Sequence, residues 1–448
     1  FGSSRLKSST SVASDGQQFL SDLTRRWLGK MRLARPQALT QNPEDTALVR
    51  KRNAQKRMLN WHMMGTVALS LLTFSSRTSL LATLPSMRGN TRRMATVLTV
   101  WGALIGALEF ILNPTIGCLS DSVGRRPFML ASPVACLIFK TWVAVRPSLL
   151  SLTCEKIVCD SLRTLSGSTM SAAALTDILE GSDLAQAFAE LYSYCGFAMI
   201  VAPFVSGLMK STRTTFAVSS MAAAVQLALE ATYLEETLPL ENRPPFKGFA
   251  NPFGVAKLFK LSPSLTCLTC VAQIHYLCEP KNMSDISALM QMSVLKWSDR
   301  KRAFFVSMLG CSFALMGPVT NASLPRLGTL RHTSLMHCLS VVQFLLRGCC
   351  TELTTWAGVG VMIVAESRLN GVKALGARMA IANGLERGEY TGLVANLRAL
   401  AVFSAPIIWG RLFQVGASAG HPGLPFYASA VAVMVAEGLM RSITGTLD

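Results

Sequence analysis

The sequence predicts an all-α membrane protein in which twelve transmembrane helices form two six-helix repeat halves. Three observations carry that prediction. Half of the 448 residues are hydrophobic and only 15% are charged, against about 25% in ordinary soluble domains, and the mean hydropathy is +0.37. The apolar residues gather into about twelve stretches, most near the ~17 to 25 residues that a helix needs to cross ~30 Å of hydrocarbon. A polar, proline-containing break after the sixth stretch divides the chain into two comparable parts. Backbone groups in hydrocarbon must be satisfied within their own segment, which excludes open sheet edges and leaves helices.

Residues 1–58 are rich in Ser, Arg and Gln and hold no apolar run long enough to pack or to span, so they read as a mobile cytoplasmic tail. Asp15, Asp22, Glu44 and Asp45 weigh against an organelle transit peptide. The N-terminal half, 59–239, holds apolar runs near 63–84, 95–119, 128–145, 149–175, 184–208 and 214–234. A cytoplasmic linker follows over 240–260, carrying Arg243, Lys247, Lys257 and Lys260. The C-terminal half, 261–448, holds runs near 265–278, 304–324, 335–350, 353–369, 391–413 and 426–440. The seventh is short because Glu279-Pro280-Lys281 cuts it off. Six spans, a basic linker and six more imply related halves with a site between them near mid-membrane.

The net charge of +18 sits largely in the tail and in short loops. That suits a positive-inside membrane protein better than a nucleic-acid face. The tail, Arg125 with Arg126, the linker, and Arg378 with Arg387 share one side, which should be the cytoplasm and should hold both termini. Arg88, Arg92 and Arg93, and Lys296 with Arg300, Lys301 and Arg302, fall on the other side against the rule. Most of the twelve cysteines lie in apolar runs, where they act as small buried hydrophobes and give no disulfide framework.

Where the second run ends, Gly117, Asp121, Gly124, Arg125 and Arg126 set a carboxylate and two guanidiniums in one loop. The glycines permit close helix approach and a tight turn, and the charges can cap or pair with neighbouring helix ends. With Leu119, these residues resemble the loop motif G-x-L-x-D-x-x-G-R-[RK] between the second and third helices of the major facilitator superfamily. Arg163 and Gly167 resemble that superfamily's fourth-helix pattern. Pro203 and Gly207 resemble its antiporter motif, with Ala202 and Ser206 in place of two glycines, and Glu236-Thr237-Leu238-Pro239 resembles the segment after its sixth helix. In the second half, Leu324-Pro325-Arg326-Leu327-Gly328 stands where the loop motif would repeat, with Pro325 replacing the acid. Gly388-Glu389-Tyr390-Thr391-Gly392 is similar to the tetracycline/proton antiporter and hippocampus-abundant-transcript-like branch. The resemblance implies the major facilitator fold and solute transport by alternating access. It also suggests that Asp121, Arg125 and the start of the eleventh helix form a cytoplasmic latch.

The fourth run carries charge independently of any family. Lys156, Asp160, Arg163 and Gly167 are spaced four, three and four apart, so on a regular helix they make one stripe, with Asp160 in reach of Lys156 and Arg163. Each charge at the bilayer centre costs roughly 2.5–3.5 kcal/mol on insertion scales, so such a stripe should face a wet cavity. Lys156 reads as a shallow structural ion, Arg163 as functional. Glu109 lies midway along the second run in line with Asn113. Unpaired it would be neutralised by a proton, as a proton-carrying site requires, and a paired structural acid is the equal alternative. Gly102 and Gly106 on that face read as close-packing residues. His275 with Glu279 spans one turn as a weaker proton-relay candidate, and Arg77, Lys140, Glu230, Arg347, Glu366 and Arg398 complete the ionisable set.

Lookalikes do not alter this. Gly416 to Gly420 matches G-x-S-x-G but joins two helices, Cys267 and Cys270 lack a second pair to hold a metal, and there is no phosphate-binding Walker motif. The expectation is a monomeric carrier, not an enzyme, with no metal or cofactor and no nucleic-acid partner. It would move a small drug-like or organic solute across a lipid bilayer, with proton antiport favoured. The alternatives are a uniporter or symporter for sugars or organic ions, and a transporter-like scaffold or sensor.

Overall fold

A computed structural model describes residues 43–179, 181–246, 248, 251–385 and 387–443, and among them there is no strand. The described residues from 55 onward form one compact unit. The first helix, α1 (Pro43–Leu72), begins well before the first apolar run, so residues 43–58, read from sequence as tail, are helical. At Thr73 it passes into α2 (Phe74–Thr83). Next come α3 (Thr91–Val123), capped by the Asn90 side chain, and α4 (Arg126–Val145). Residues 149–178 form α5, in which Glu155–Cys159 and Arg163–Thr169 widen into π-helical turns. α6 (Gly181–Gly207) and α7 (Thr212–Tyr233) follow, α7 capped by Ser211.

Two short 3-10 turns, Leu240–Asn242 and Pro252–Phe259, lead to α8 (Pro263–Leu277). α8 ends where the seventh apolar run does, with Cys278 as its C-cap, but a further helix that the sequence reading did not anticipate follows. The chain turns through 278–283 and resumes as α9 (Ser284–Ser293). α10 (Asp299–Gly348) covers the eighth and ninth runs, and Gly328 at φ 72°, ψ 165° breaks it between them. Gly124 does the same between α3 and α4 at φ 113°, ψ 161°. Only glycine takes such angles freely, so both loop glycines are required by the backbone they occupy. α11 (Glu352–Ala365) and α12 (Arg368–Ala382) meet at Glu366-Ser367, and α13 (Arg387–Ser418) and α14 (Leu424–Ser442) close the chain.

Four helical segments, Thr91–Val123, Arg126–Val145, Gly392–Ser418 and Leu424–Ser442, are long and apolar enough to cross a membrane by length and composition alone. Beside a hydrophobic core, the described residues combine buried charge with exposed apolar faces. Lys140, Glu155, Arg302 and Arg368 are buried, while Val100, Leu104, Leu108 and Ile111 stand exposed along α3, and Met221, Val225 and Leu229 along α7. Helical spacing puts each set on one face, a belt suited to lipid.

Two seams join the residues before the linker to those after it. On α3 a β-carbon at Gly102 would press into Pro406, and one at Gly106 would overlap the backbone of Phe403 on α13. The packing role read for these glycines is what brings the two helices together. On the α6–α10 seam, a β-carbon at Gly196 would lie 3.3 Å from Ala314 and one at Gly207 3.2 Å from Ala303. Gly207 of the antiporter-like motif therefore sits at a close approach, and Pro203 lies within the same helix, α6.

Candidate functional site

Six ionisable side chains meet where α2, α4, α5 and α9 converge. Arg77 from α2 makes two bonds to Glu155, Nε to Oε2 at 2.8 Å and Nη2 to Oε1 at 2.9 Å. Lys140 from α4 bonds the same carboxylate at 2.9 Å and Thr73 Oγ1 at 2.7 Å. Lys156 reaches Asp160 at 3.0 Å and crosses to Asp285 of α9 at 3.2 Å. Asp160 also accepts from Ser70 at 3.1 Å and lies 3.7 Å from Arg77. Three cations thus face three carboxylates, the balance that buried charge demands. At the same end, Arg302 is buried and bonds Asp299 at 2.7 Å as well as Ser79 of α2. This residue, which contradicted the charge rule, is therefore an internal tie rather than a surface charge.

The α5 stripe is only partly as spacing predicted. Asp160 meets Lys156, but its second cation is Arg77, not Arg163. Lys156 and Asp160 pair at the spacing of four that was expected, while Arg77 arrives from another helix, α2, which no spacing within α5 records. Arg163 opens the second π stretch, and its Nε is buried with no hydrogen-bond partner. Gly167 lies against Thr66, where a β-carbon would sit 3.0 Å from that side chain.

Toward the middle of α3, Glu109 is 2% exposed and pairs at 3.4 Å with Lys281, from the break between α8 and α9. Lys281 also donates to Thr164 Oγ1 at 3.4 Å, and Asn113 accepts from Thr169 at 3.4 Å. The paired alternative for Glu109 is the one realised, with a partner from beyond the linker. From the same break, Glu279 holds Arg398 of α13 at 2.8 Å. The Arg398 side chain is 49% exposed and that of Lys281 29%, so both reach an open interior space. Lys373 of α12 lies 5.8 Å from the Tyr276 ring centre, also near Glu279 and Arg398. Two clefts of about 360 Å³ run along the α3–α13 seam, and neither is lined by these groups.

His275 and Glu279 are not joined. His275 turns instead to His337, Nε2 to Nε2 at 2.8 Å, and His337 Nδ1 meets Glu437 at 2.7 Å. Arg368 Nε can only donate, and it points at His275 Nδ1 at 3.3 Å. With both rings neutral, the tautomers follow: His275 carries its proton on Nε2 and donates to His337, which donates from Nδ1 to Glu437. Glu366, the remaining weaker candidate, binds Arg368 at 3.0 Å at the α11–α12 hinge.

The loop motif and the Glu236-Thr237-Leu238-Pro239 segment form one knot. Arg125 pairs with Asp121 at 2.5 Å and with Asp177, at the end of α5, at 3.2 Å. Thr237 donates to Asp177 at 3.1 Å. Glu236 accepts the backbone N–H of Arg125 at 2.9 Å and of Arg126 at 3.1 Å, capping the positive end of α4. Arg126 donates to Ala231 O at 2.6 Å. Gly117 is free of close neighbours at its α-carbon, while a β-carbon at Gly124 would strike Glu236. The side chains at 386–389 and 391, which would supply the eleventh helix's share of a latch, lie outside the described residues.

Burial alone would raise the Glu236 carboxyl, but the N–H groups of Arg125, Leu238 and Arg126 and the Arg243 guanidinium outweigh it and hold it below the usual range. A lowered folded value means that its stabilisation is present above the unfolded carboxylate range of about 4.3 and is lost as pH falls through the folded value. The thermal midpoint of the wild type is therefore expected to drop on acidification below about pH 4. That drop should be smaller in Glu236→Gln, as differential scanning fluorimetry in detergent would show. Equal pH slopes would remove Glu236 from this role.

Several of these partners escaped the sequence reading. Asp177 and Asp285 stand near helix ends, where acids are common, and Glu155, Lys281, His337 and Arg368 have sequence neighbours that give no sign of their contacts. Glu155 and Lys281 did have one signal, a charge inside or interrupting a run otherwise fit to span.

Comparison with known proteins completes the picture. The model of the Major Facilitator Superfamily matches residues 66–406. The class C tetracycline resistance protein of Escherichia coli is 25% identical over 353 residues, covering 76% of this chain and 85% of its own. The hippocampus abundant transcript 1 protein of Mus musculus is 24% identical over 334 residues, 69% of this chain and 64% of that one. Among solved structures, the human organic anion transporter MFSD10 (TETRAN) aligns with a TM-score of 0.63 at 16% identity, over 86% of this chain and 99% of that one. A POT family transporter in complex with a thioalcohol-conjugated peptide aligns with a TM-score of 0.70 at 12% identity, over 88% and 96%.

Proposed function

The chain belongs to the Major Facilitator Superfamily, an integral membrane transporter family, and on that premise we propose that it is a proton-coupled antiporter of a small organic solute working by alternating access. Twelve spans in two halves are the arrangement this reading uses, α1 with α2, α8 with α9 and α11 with α12 each counting as one broken span and α10 as two. The glycine breaks at Gly124 and Gly328, in corresponding places of the two parts, support it.

One observation carries the reading. Ionisable groups from both parts of the chain meet in the interior, and their ties gather at the end opposite Gly124. Lys156 with Asp285, Arg302 with Ser79, and Gln414 with Thr96 at 3.0 Å lie at that end, whereas Arg398 stays half open. This supports a carrier closed at one mouth and open at the other, which is the cytoplasmic one if both termini are cytoplasmic. Glu109 with Lys281 is suited to couple protons, because a proton on Glu109 dissolves a tie between the halves. Arg163 sets the positive field beside it. The Asp121–Arg125–Asp177 knot binds α3, α4 and α5 into one body that rocks as a unit, with Pro203 and Gly207 at the seam on which it slides. Resemblance to the tetracycline/proton antiporter branch supports the coupling, and the name of the Escherichia coli relative supports a drug-like solute.

In reconstituted vesicles, a pH gradient is expected to accelerate tetracycline or related organic solute uptake several-fold, with Arg163→Ala lowering the gradient-driven rate by at least tenfold. Native-rate uptake in Arg163→Ala would remove Arg163 from coupling. Uptake blind to the gradient would leave a uniporter, and ligand binding without flux under any gradient would leave a scaffold or sensor.

A further inference from the structure

The charges around the open interior space do not balance. Among the described residues, Arg163, Lys281, Lys373 and Arg398 stand against Glu109 and Glu279, and the Asp160 that also lies near Arg163 is already balanced within the six-residue cluster by Lys156 and Arg77. The two carboxylates are taken, Glu109 by Lys281 and Glu279 by Arg398. Arg163 and Lys373 are left with no carboxylate in ion-pair range, and the Arg163 Nε has no hydrogen-bond partner at all. Contrast the closed end, where three cations meet three carboxylates. The six-residue cluster is neutral, whereas two cations are left over where a solute would sit.

An uncompensated charge at that depth is costly, and the cost is removed when an anion arrives. The two surplus cations also come from different parts of the chain, Arg163 from α5 and Lys373 from α12. An anion between them draws the two parts together. Beside them stands an exposed aromatic ring, Tyr192 near Arg398 and Glu279, while Tyr276 beneath Lys373 is buried in the core.

Resting on the transport reading above, we infer that the solute is a small organic anion with a flat apolar body and one or two acidic groups, held between Arg163 and Lys373. A guanidinium presents a planar donor fork that matches a carboxylate, sulfonate or phosphonate, and a lysine serves as a point charge for the second acidic group. The exposed Tyr192 ring takes the body. Organic cations are disfavoured by the same excess.

Binding, not flux, is the test, so that it stands apart from the transport reading. Three probes of one shape are titrated against the full chain in detergent by tryptophan fluorescence: naphthalene-1,5-disulfonate, the neutral naphthalene-1,5-diol, and 1,5-bis(trimethylammonio)naphthalene. The disulfonate is expected to bind at least tenfold more tightly than the other two and to weaken as salt is raised. Arg163→Gln and Lys373→Gln should each weaken it about tenfold while moving the diol less than twofold, Arg163→Lys should recover part of the loss, and Glu109→Gln should tighten it. Thermal unfolding of each variant identifies those that fail to fold. Should a variant not fold, the salt dependence and the probe ranking of the wild type decide alone. Tightest binding by the bis-ammonium probe, equal binding of all three, or a loss that falls equally on the diol overturns the inference. Disulfonate binding without flux under any gradient upholds it and overturns transport. Gradient-driven flux of organic cations with no disulfonate binding does the reverse.

Discussion

Replacing Glu155 by glutamine is expected to destabilise the protein by about 3–5 kcal/mol, the range for breaking a buried ion pair from one side. The carboxylate is wholly buried and is the shared partner of Arg77 and Lys140, each bonded to it at 2.9 Å or less. An amide keeps the shape and removes the charge, leaving two desolvated cations facing each other across it. Because whole-protein stability is about 5–15 kcal/mol, a loss of that size should appear as a marked fall in thermal midpoint and in folded yield from membranes. Lys140→Met on the Glu155→Gln background is expected to return part of it, since one surplus cation is then gone. The recovery, read as a double-mutant cycle, measures the coupling directly. A change below about 1 kcal/mol in Glu155→Gln would mean that water reaches this cluster and screens it.

The same cluster explains why α9 matters to motion. Asp285 supplies one of its three carboxylates from the far side of the linker. In the proposed transport cycle, withdrawing α9 would leave three cations against two acids, so the cluster would resist opening until something offset the excess, and the break between α8 and α9 would serve as the hinge.

How far the sequence foretold this differs from residue to residue. Apolar runs located most helices within a few residues, because the cost of burying peptide groups in lipid acts on every residue of a span, but they missed α9, α12 and the first twenty residues of α1, where polar residues interrupt the signal. Gly102 and Gly106 were legible as packing residues, since close helix approach requires small side chains at helical spacing. For Asp160, Lys156 was legible at its spacing of four, but the second cation was not, because Arg77 comes from α2 and not from the same helix. Nor could spacing join His275 to His337 or Glu109 to Lys281, pairs 62 and 172 residues apart. Those meetings are set by how helices cross, which no local pattern records. The loop motif fared between the two: its residues and those of Glu236-Thr237-Leu238-Pro239 were both picked out, but not that they bond to each other.

Glu109 and Lys281 carry the other large expected effect. Glu109→Gln should lower gradient-driven uptake at least tenfold, about 1.4 kcal/mol in barrier, while solute exchange at equal pH on both sides persists. The reason lies in what the pair does to the interior. Glu109 offsets Lys281, and Lys281 stands beside Arg163. With glutamine at 109 the tie between α3 and the α8–α9 break has no carboxylate whose charge a proton can cancel, so it no longer depends on protonation. Lys281→Gln attacks the same step from the other side, since it leaves a buried acid without its cation. That acid is then neutral whichever way the carrier faces, and uptake again becomes indifferent to the gradient. Because both substitutions disable one event, their effects should not add. The double variant is expected to transport no more slowly than the worse single one, giving a coupling on the order of 1–3 kcal/mol. Additive losses, or a Glu109→Gln protein that keeps its gradient-driven rate within twofold, would make the pair a structural brace and move the proton site elsewhere. Exchange lost together with driven uptake would instead assign Glu109 to binding the solute.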